Sequence, residues 1–223
     1  MRLFLCGGGS GEQTAEAVKR FCGILDRGKP LLYIPLAMEP EKYPGCMEWI
    51  TGELGGEGIS DIDMVVSAEE LAAKRLDGYA GLYIGGGNTF RLLERLKRSG
   101  AFENIKRFIS QGGAVFGGSA GAIIFGKDLE ACAIDDNVED PQEAAGFDVL
   151  GGISLLCHYT NRTEEYDRRS TEHLKKISER TEVIALPEED TIFINGDITE
   201  VIGTRPWYRF KNGCRRECQP GMI

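Results

Sequence analysis

Histidine is scarce in this 223-residue chain, which contains only His158 and His173. The sequence also lacks any apolar run close to the roughly 18 residues that a membrane-spanning helix needs. It has no run of basic residues, and its formal net charge is −9. An acidic chain of this kind is a poor candidate for binding nucleic-acid phosphates or an anionic membrane surface. We therefore expect neither nucleic acid nor a membrane as a partner.

Repeats, low-complexity segments and linkers are also missing from the sequence. The apolar start, residues 1–6, turns glycine-rich at once and is too short for the apolar region of a signal peptide. We therefore expect a cytoplasmic protein. A chain of 223 residues suits one domain with one sizeable core, or at most a domain with a small appendage. We predict a single catalytic domain over residues 1–223.

Metal and cofactor signatures are weak. The seven cysteines are odd in number and scattered, which argues against a disulfide framework. Cys214 and Cys218 have no histidine nearby, so we interpret them as two terminal thiols rather than as metal ligands. Neither glycine-rich segment, 7–11 or 85–88, matches the dinucleotide fingerprint G-x-G-x-x-G. No metal and no cofactor are expected.

Apolar runs alternate with helical patterns over the first two-thirds of the chain. Because these runs lack polar alternation, we expect a parallel sheet with helices on both faces, which is a three-layer α/β fold. After Ser119 the strand-like pieces are short and close together, with turn signals at Asn195-Gly196 and Asn212-Gly213. The sheet is therefore expected to be mixed, with antiparallel hairpins at its end. The predicted strands are 3–6, 31–36, 61–66, 82–85, 114–117, 183–186, 191–195, 199–202 and 207–210, and the predicted helices are 14–26, 43–54, 89–98, 102–110 and a short one opening at Ser67.

The segment 117–121, Gly-Gly-Ser-Ala-Gly, has the spacing G-x-S-x-G, in which serine occupies a sharp turn between a strand and a helix. An apolar strand before it and a helical run after it supply the required context. Glycines suit this turn because side chains there would collide. The hydroxyl would project at the carboxyl end of the sheet, beside a helix N-terminus that favours negative charge. Ser119 is therefore predicted to be the nucleophile of a serine hydrolase, and the alternative is a tight turn with Ser119 as a helix N-cap.

A serine nucleophile needs a base, which is most often histidine. His173 lies in a polar helical stretch, where we expect a solvated side chain. His158 follows the apolar run 153–157, which places it at a strand end, so it is the predicted base. The imidazole in turn needs a carboxylate that fixes its tautomer. Spacing alone does not choose among the candidates, which are Asp135, Asp136, Glu188, Glu189 and Asp190.

Several segments together resemble the peptidase E family of aspartyl dipeptidases, whose relatives include cyanophycinase. Their order and approximate spacing agree with that family over most of the chain. The resemblance implies a class-I glutamine amidotransferase-like (flavodoxin-like) fold and a serine peptidase that hydrolyses small peptides, including dipeptides with an N-terminal Asp. The matching segments are 84–93 (IGGGNTFRLL), 118–122 (GSAGA), 158–161 (HYTN) and 186–188 (LPE).

The same resemblance assigns roles to residues of the catalytic site. It places the nucleophile on Ser119, the base on His158 and the orienting acid on Glu188. An acid downstream of the nucleophile has also been considered in this family, and it corresponds to Asp135 or Asp136. We prefer Glu188, which gives the chain order Ser, His, Glu.

Substrate contacts are also implied by the resemblance. The backbone N–H groups of Gly86 and Ala120 would hold the oxyanion, and the guanidinium of Arg168 would bind a small carboxylate. Acidic residues before Arg168 would repel an acidic side chain, so another side-chain preference with the same triad is an open alternative. These residues are Glu164, Glu165 and Asp167.

Two other functions remain open from the residues alone. An esterase of the α/β-hydrolase kind would take its acid from a residue before His158, such as Asp136. A non-enzymatic binding module would retain the fold without a reactive serine. For the peptidase, the expected partner is a small peptide and the expected assembly is a monomer or homodimer.

Overall fold

The computed structural model describes residues 1–134 and 144–223, so Asp135 and Asp136 lie outside the described residues. None of the helices within those ranges has both the length and the hydrophobicity that a membrane span requires. In chain order, the described strands are β1 (Arg2–Cys6), β2 (Leu31–Ile34), β3 (Ile62–Met64), β4 (Gly81–Ile84), β5 (Ala114–Gly118), β6 (Ser154–Leu156), β7 (Val183–Ala185), β8 (Thr191–Asn195), β9 (Ile198–Ile202), β10 (Trp207–Lys211), β11 (Cys214–Cys218) and β12 (Gly221–Met222). The described helices are α1 (Ala15–Gly23), α2 (Tyr43–Gly55), α3 (Ala68–Ala73), α4 (Thr89–Ser99), α5 (Ala101–Ser110), α6 (Ala120–Ile123) and α7 (Glu164–Ile177).

The larger sheet of the described chain has eight strands in the order β12-β9-β8-β1-β5-β4-β2-β3. Strands β1 to β5 pair in parallel with one another. Strands β8, β9 and β12 form an antiparallel extension that begins on the other edge of β1. The predicted mixed sheet, mainly parallel with antiparallel strands at one end, is confirmed.

Helices cover both faces of this sheet because its central strands carry apolar side chains on both sides. Along β1, Leu3 and Leu5 belong to the core that also contains apolar residues of α4 and α5. Phe4 points the other way and packs with Phe21 of α1 in the core that includes residues of α2. All of these strand residues are fully buried. The resulting helix–sheet–helix layering confirms the three-layer α/β fold.

The strands predicted near the end of the chain divide between two sheets, a division that the sequence does not predict. The β8–β9 hairpin extends the larger sheet, whereas β10 and β11 join β6 and β7 in a four-stranded sheet of order β11-β10-β7-β6. Asn212 and Gly213 connect β10 to β11 with φ values of 52° and 73°, which fit the predicted two-residue hairpin turn. Cys214 and Cys218 form no disulfide and lie at the two ends of β11.

Candidate active site

The predicted catalytic residues follow strands of both sheets. Ser119 comes directly after β5, at the carboxyl end of the larger sheet. His158 follows β6 and Glu188 follows β7, and these two strands are parallel neighbours in the smaller sheet. Because parallel neighbours end at the same edge, the two side chains emerge together. The smaller sheet therefore delivers the base and the acid to the edge where the larger sheet presents the serine.

Ser119 occupies a strained turn that its flanking glycines permit. Its backbone has φ 51° and ψ −112°, a conformation that residues with a side chain seldom adopt. A Cβ atom on Gly117 would lie 2.2 Å from the carbonyl oxygen of Gly121, and one on Gly121 would lie 2.1 Å from that of Ile84. Both distances are far below van der Waals contact, so the turn excludes side chains at these positions. The steric reason predicted for G-x-S-x-G is confirmed.

Ser119, His158 and Glu188 form a continuous hydrogen-bonded chain. The hydroxyl Oγ of Ser119 lies 2.7 Å from Nε2 of His158. Nδ1 of His158 lies 2.8 Å from Oε1 of Glu188. An ionised carboxylate can only accept a hydrogen bond, so Nδ1 donates to Glu188 and Nε2 is left to accept the serine proton. The arrangement can take a proton from Ser119 and stabilise the resulting imidazolium.

Backbone contacts hold the imidazole of His158 in this position. The His158 N–H donates to the carbonyl of Gly7 at the end of β1, with an N–O distance of 2.9 Å. The ring packs against Gly8, where a Cβ atom would lie 2.2 Å from Cε1 of His158. Gly8 also has φ +115°, which favours glycine. The glycine-rich turn after β1 therefore makes room for the base.

Asn161 holds the backbone of Glu188, and no role was predicted for it from the residues. Its side-chain oxygen accepts the Glu188 N–H at 2.8 Å, and its amide donates to the carboxylate of Glu189 at 3.1 Å. The Glu188 carbonyl also accepts the N–H of Gly9 at 3.0 Å. The segments His158–Asn161 and Leu186–Glu188 are thus tied to each other through Asn161. Its place in the HYTN segment was the signal available in the sequence.

The two residues predicted to donate backbone N–H groups to an oxyanion, Gly86 and Ala120, lie beside Ser119. Ala120 is the first residue of α6, so its N–H has no acceptor within the helix. Gly86 lies across from the serine, since a Cβ atom there would be 3.3 Å from Cβ of Ser119. The N–H of Ser119 itself is engaged, because it donates to the Cys6 carbonyl at 3.1 Å. The structure thus brings both predicted donors to the nucleophile.

The other candidate acids in the described chain contact different groups. Glu189 accepts from Asn161 and pairs with Arg205, whose Nη1 lies 3.4 Å from Oε1 of Glu189. Burial raises the pKa of Glu189, but these hydrogen bonds and the Arg205 charge lower it overall. Asp190 is fully buried, and its Oδ1 accepts the N–H groups of Thr204 and Arg205 at 3.2 Å. Of these neighbouring acids, Glu188 is the one in contact with His158.

Asp190, two residues after Glu188, has a raised pKa. Its Oδ2 atom is buried and has no hydrogen-bond partner among the described residues. Burial is the main cause that raises the pKa of Asp190 from 3.8 to about 6, and the nearby charge of Glu189 adds to the rise. The backbone donors Thr204 and Arg205 act in the opposite direction. The charged form of this side chain therefore costs stability.

We expect Asp190→Asn to gain stability relative to the wild type as the pH rises. Because the pKa of Asp190 is raised in the folded state, binding of a proton to this carboxyl stabilises the wild-type fold, fully so below the unfolded-state pKa of 3.8. This stabilisation is lost as the pH rises through the folded-state pKa of about 6. The variant has no such titration, so the difference in free energy of unfolding should grow over this window by about 3 kcal/mol. Chemical denaturation of both proteins across the window measures the difference. A difference that stays constant with pH would contradict the assignment.

Arg168 and His173 lie on helix α7 and contact other groups. The Arg168 side chain is 64% exposed and pairs with Glu172, with Nη1 and Oε1 3.2 Å apart. His173 lies against the carbonyl of Glu130, with Nε2 and O 2.9 Å apart. Neither residue lines the cavity in front of Ser119. The proposed role of Arg168 in binding a substrate carboxylate stays a prediction.

A cavity of about 680 Å³ opens in front of Ser119. Its volume lies in the range typical of small-ligand sites. The described chain contains no group of three or more His, Cys, Asp and Glu side chains arranged to hold a metal ion. Apart from Gly86, Ser119 and His158, the lining residues have no individual role predicted from the sequence. The lining residues are Gly8, Gly9, Ser10, Tyr33, Met38, Glu41, Lys42, Gly45, Cys46, Trp49, Tyr83, Gly86, Gly87, Gly118, Ser119 and His158.

Comparison with known proteins shows similarity to one group of peptidases. The model of peptidase family S51 matches residues 3–202. Peptidase E of Shewanella sp. (strain W3-18-1) is 32% identical over 206 residues, covering 88% of this chain and 84% of the relative. The uncharacterized peptidase Lmo0363 of Listeria monocytogenes is 27% identical over 183 residues, covering 80% and 87%. A crystal structure of a peptidase E-like protein from L. monocytogenes EGD-e superimposes with a TM-score of 0.70 at 26% identity, covering 92% of this chain and 98% of that one.

Proposed function

Because this chain belongs to peptidase family S51, we propose that it hydrolyses small peptides through an acyl-enzyme formed on Ser119. The observation that carries the proposal is the contact chain from Ser119 Oγ through His158 to Glu188, with distances of 2.7 Å and 2.8 Å. Such a chain is what an otherwise unreactive serine hydroxyl needs to become a nucleophile.

Family membership confirms the coarser predictions made from the sequence. The chain is a peptidase of the peptidase E group with the α/β fold of that group, and its substrate is a peptide. A cytoplasmic location and a monomeric or homodimeric assembly stay predictions. The individual roles of the site residues, described next, are part of the proposal.

Acylation begins when His158 Nε2 takes the proton of Ser119 Oγ as that oxygen attacks the peptide carbonyl carbon. The carbonyl oxygen becomes an oxyanion, which accepts hydrogen bonds from the Gly86 and Ala120 N–H groups. Glu188 stabilises the imidazolium through Nδ1–H. The C–N bond then breaks, and His158 gives its proton to the departing amine. The products of this half-reaction are an ester on Ser119 and a free amine.

Deacylation repeats the sequence with water in place of Ser119 Oγ. His158 takes a proton from a water molecule, whose oxygen attacks the ester carbonyl carbon. The same backbone donors hold the second oxyanion. Collapse of that intermediate breaks the bond to Ser119 Oγ, which recovers its proton from His158. The released product is a carboxylic acid, and the enzyme returns to its starting state.

Preference for an N-terminal Asp is a separate question from peptide hydrolysis. It depends on Arg168, because a guanidinium suits a small carboxylate. The position of Arg168 on the exposed face of α7, paired with Glu172, does not favour this role. A hydrolase with the same triad and another side-chain preference fits the site better.

A panel of dipeptides, including Asp-X sequences, tests the proposed function. The purified wild-type protein should release free amino acids from at least one of them, and the Ser119→Ala protein should not. Arg168→Ala should leave the rates on non-acidic dipeptides unchanged. Identical background rates for the wild type and Ser119→Ala on every peptide would refute the proposal.

A further inference from the structure

Aromatic rings form one wall of the cavity in front of Ser119. Tyr33 of β2 and Tyr83 of β4 are register partners on neighbouring parallel strands, and Trp49 projects from α2 onto both of them. The ring centroids lie 5.9 Å apart for Tyr33–Tyr83 and for Trp49–Tyr83, and 6.5 Å apart for Tyr33–Trp49. Tyr33, Trp49 and Tyr83 are called the aromatic wall below.

The aromatic wall reaches the catalytic serine. A Cβ atom on Gly118, the residue before Ser119, would lie 3.8 Å from the hydroxyl of Tyr83. A Cβ atom on Gly85, next to the proposed oxyanion donor Gly86, would lie 2.9 Å from the hydroxyl of Tyr33. A substrate whose carbonyl lies between Ser119 and Gly86 therefore has a neighbouring side chain within reach of these rings.

The two tyrosine rings of the aromatic wall are buried, whereas the Trp49 ring is partly exposed, and this combination suits the binding of an apolar group. Tyr33 and Tyr83 are each 3% exposed, so packing fixes their positions. Burial is the main cause that raises the pKa of both phenols, which are therefore uncharged at neutral pH. Trp49 is 40% exposed. An apolar group that enters the cavity would cover the indole, and removal of apolar surface from water is favourable.

Charge in the cavity does not favour an acidic side chain. Among the described lining residues, Glu41 and Lys42 are adjacent and opposite in sign, and no arginine lines the cavity. The nearby guanidinium of Arg91 is engaged, since Nη2 lies 2.7 Å from Glu39 Oε1. An aspartyl carboxylate in this cavity would find Lys42 as its cation, with Glu41 beside it to repel it.

We propose that the aromatic wall binds a large apolar or aromatic side chain next to the scissile bond, and that the enzyme prefers such peptides to those with an N-terminal Asp. The inference rests on the proposed function, because it assumes that Ser119 attacks a peptide held in this cavity. Trp49 acts as a specificity-determining residue through contact with the substrate side chain. The expected preference for Phe over Ala at the favoured position is on the order of 10-fold to 100-fold in kcat/KM.

The test compares Phe-Ala, Ala-Phe, Ala-Ala and Asp-Ala as substrates of the wild type and of Trp49→Ala. We expect the better phenylalanine dipeptide to exceed both Ala-Ala and Asp-Ala, and Trp49→Ala to reduce the Phe/Ala ratio about tenfold. Trp49→Phe should restore most of the ratio. Val66→Ala removes another exposed apolar side chain, 60% exposed, outside the cavity, so it should leave the ratio unchanged.

The outcomes separate this inference from the proposed function. A general loss of fold in Trp49→Ala would lower all rates together and would leave the ratio of rates intact, so the ratio reports on the side-chain contact. Ser119-dependent hydrolysis in which Asp-Ala is the best substrate, or in which the ratio survives Trp49→Ala, would overturn the inference alone. Hydrolysis that is unchanged in Ser119→Ala would overturn the proposed function as well.

Discussion

Replacing Ser119 by alanine is expected to lower kcat/KM for peptide hydrolysis by about 10⁴-fold or more. The variant lacks the oxygen that attacks the carbonyl, so the covalent route is closed. The fold should survive, because alanine needs no more room than serine. The substitution removes the 2.7 Å hydrogen bond to His158, and such a bond contributes about 1 kcal/mol to stability. Steady-state kinetics on the best dipeptide, together with a thermal melt, measures both quantities.

A serine outside the site provides the control for this prediction. Ser110 lies at the end of α5 and donates its hydroxyl to the Arg107 carbonyl at 2.8 Å. Ser110→Ala should retain wild-type kcat/KM. Activity in Ser119→Ala within tenfold of the wild type, in a preparation that is folded, would contradict the assignment of the nucleophile.

Replacing Glu188 by glutamine is expected to lower kcat by about 10²-fold to 10⁴-fold. The amide has nearly the same shape, but its nitrogen can donate to His158 Nδ1. That donation favours the tautomer with the proton on Nε2, which cannot accept the proton of Ser119. The amide also lacks the charge that stabilises the imidazolium. Because these effects act on proton transfer, the loss should lie in kcat far more than in KM, and a kinetic comparison at several pH values measures it.

The two aspartates considered as alternative acids supply the comparison. Asp135→Asn and Asp136→Asn should each keep kcat within a few-fold of the wild type if Glu188 orients His158. The opposite pattern, with Asp136→Asn inactive and Glu188→Gln active, would support the acid placement of an α/β-hydrolase instead.

Local spacing predicted the nucleophile because the turn around Ser119 is determined by its neighbours in the chain. The glycines at 117 and 121 are needed by contacts within that turn and with Ile84. His158 was predicted as the base because histidine is scarce in this chain and His158 is the histidine at a strand end. The identity of the acid could not be predicted from local spacing. Glu188, Glu189 and Asp190 are consecutive, and which of them reaches the imidazole depends on Asn161 and Gly9, which are distant in sequence. Spacing could not resolve that choice, although family resemblance favoured Glu188.

The cavity in front of Ser119 and the smaller sheet could not be predicted for a related reason. The aromatic wall exists because β2 and β4 are neighbours in register and because Trp49 of α2 packs against Tyr33 and Tyr83, and no local pattern carries this information. Strands β6 and β7 have three residues each, and such short apolar runs do not indicate which strands they pair with. Strand β11 reads Cys-Arg-Arg-Glu-Cys and is almost entirely exposed, so it lacks the alternation that predicts a strand.

Labelling with a fluorophosphonate probe, read by mass spectrometry of the digested protein, tests the central claim most directly. Such a probe phosphonylates a serine only where a neighbouring base and oxyanion donors activate it. We predict one adduct, on the peptide that contains Ser119, and no adduct in Ser119→Ala. Labelling of His158→Ala should be much slower than that of the wild type. A folded wild-type protein that remains unlabelled, or an adduct that persists in Ser119→Ala, would contradict Ser119 as an activated nucleophile.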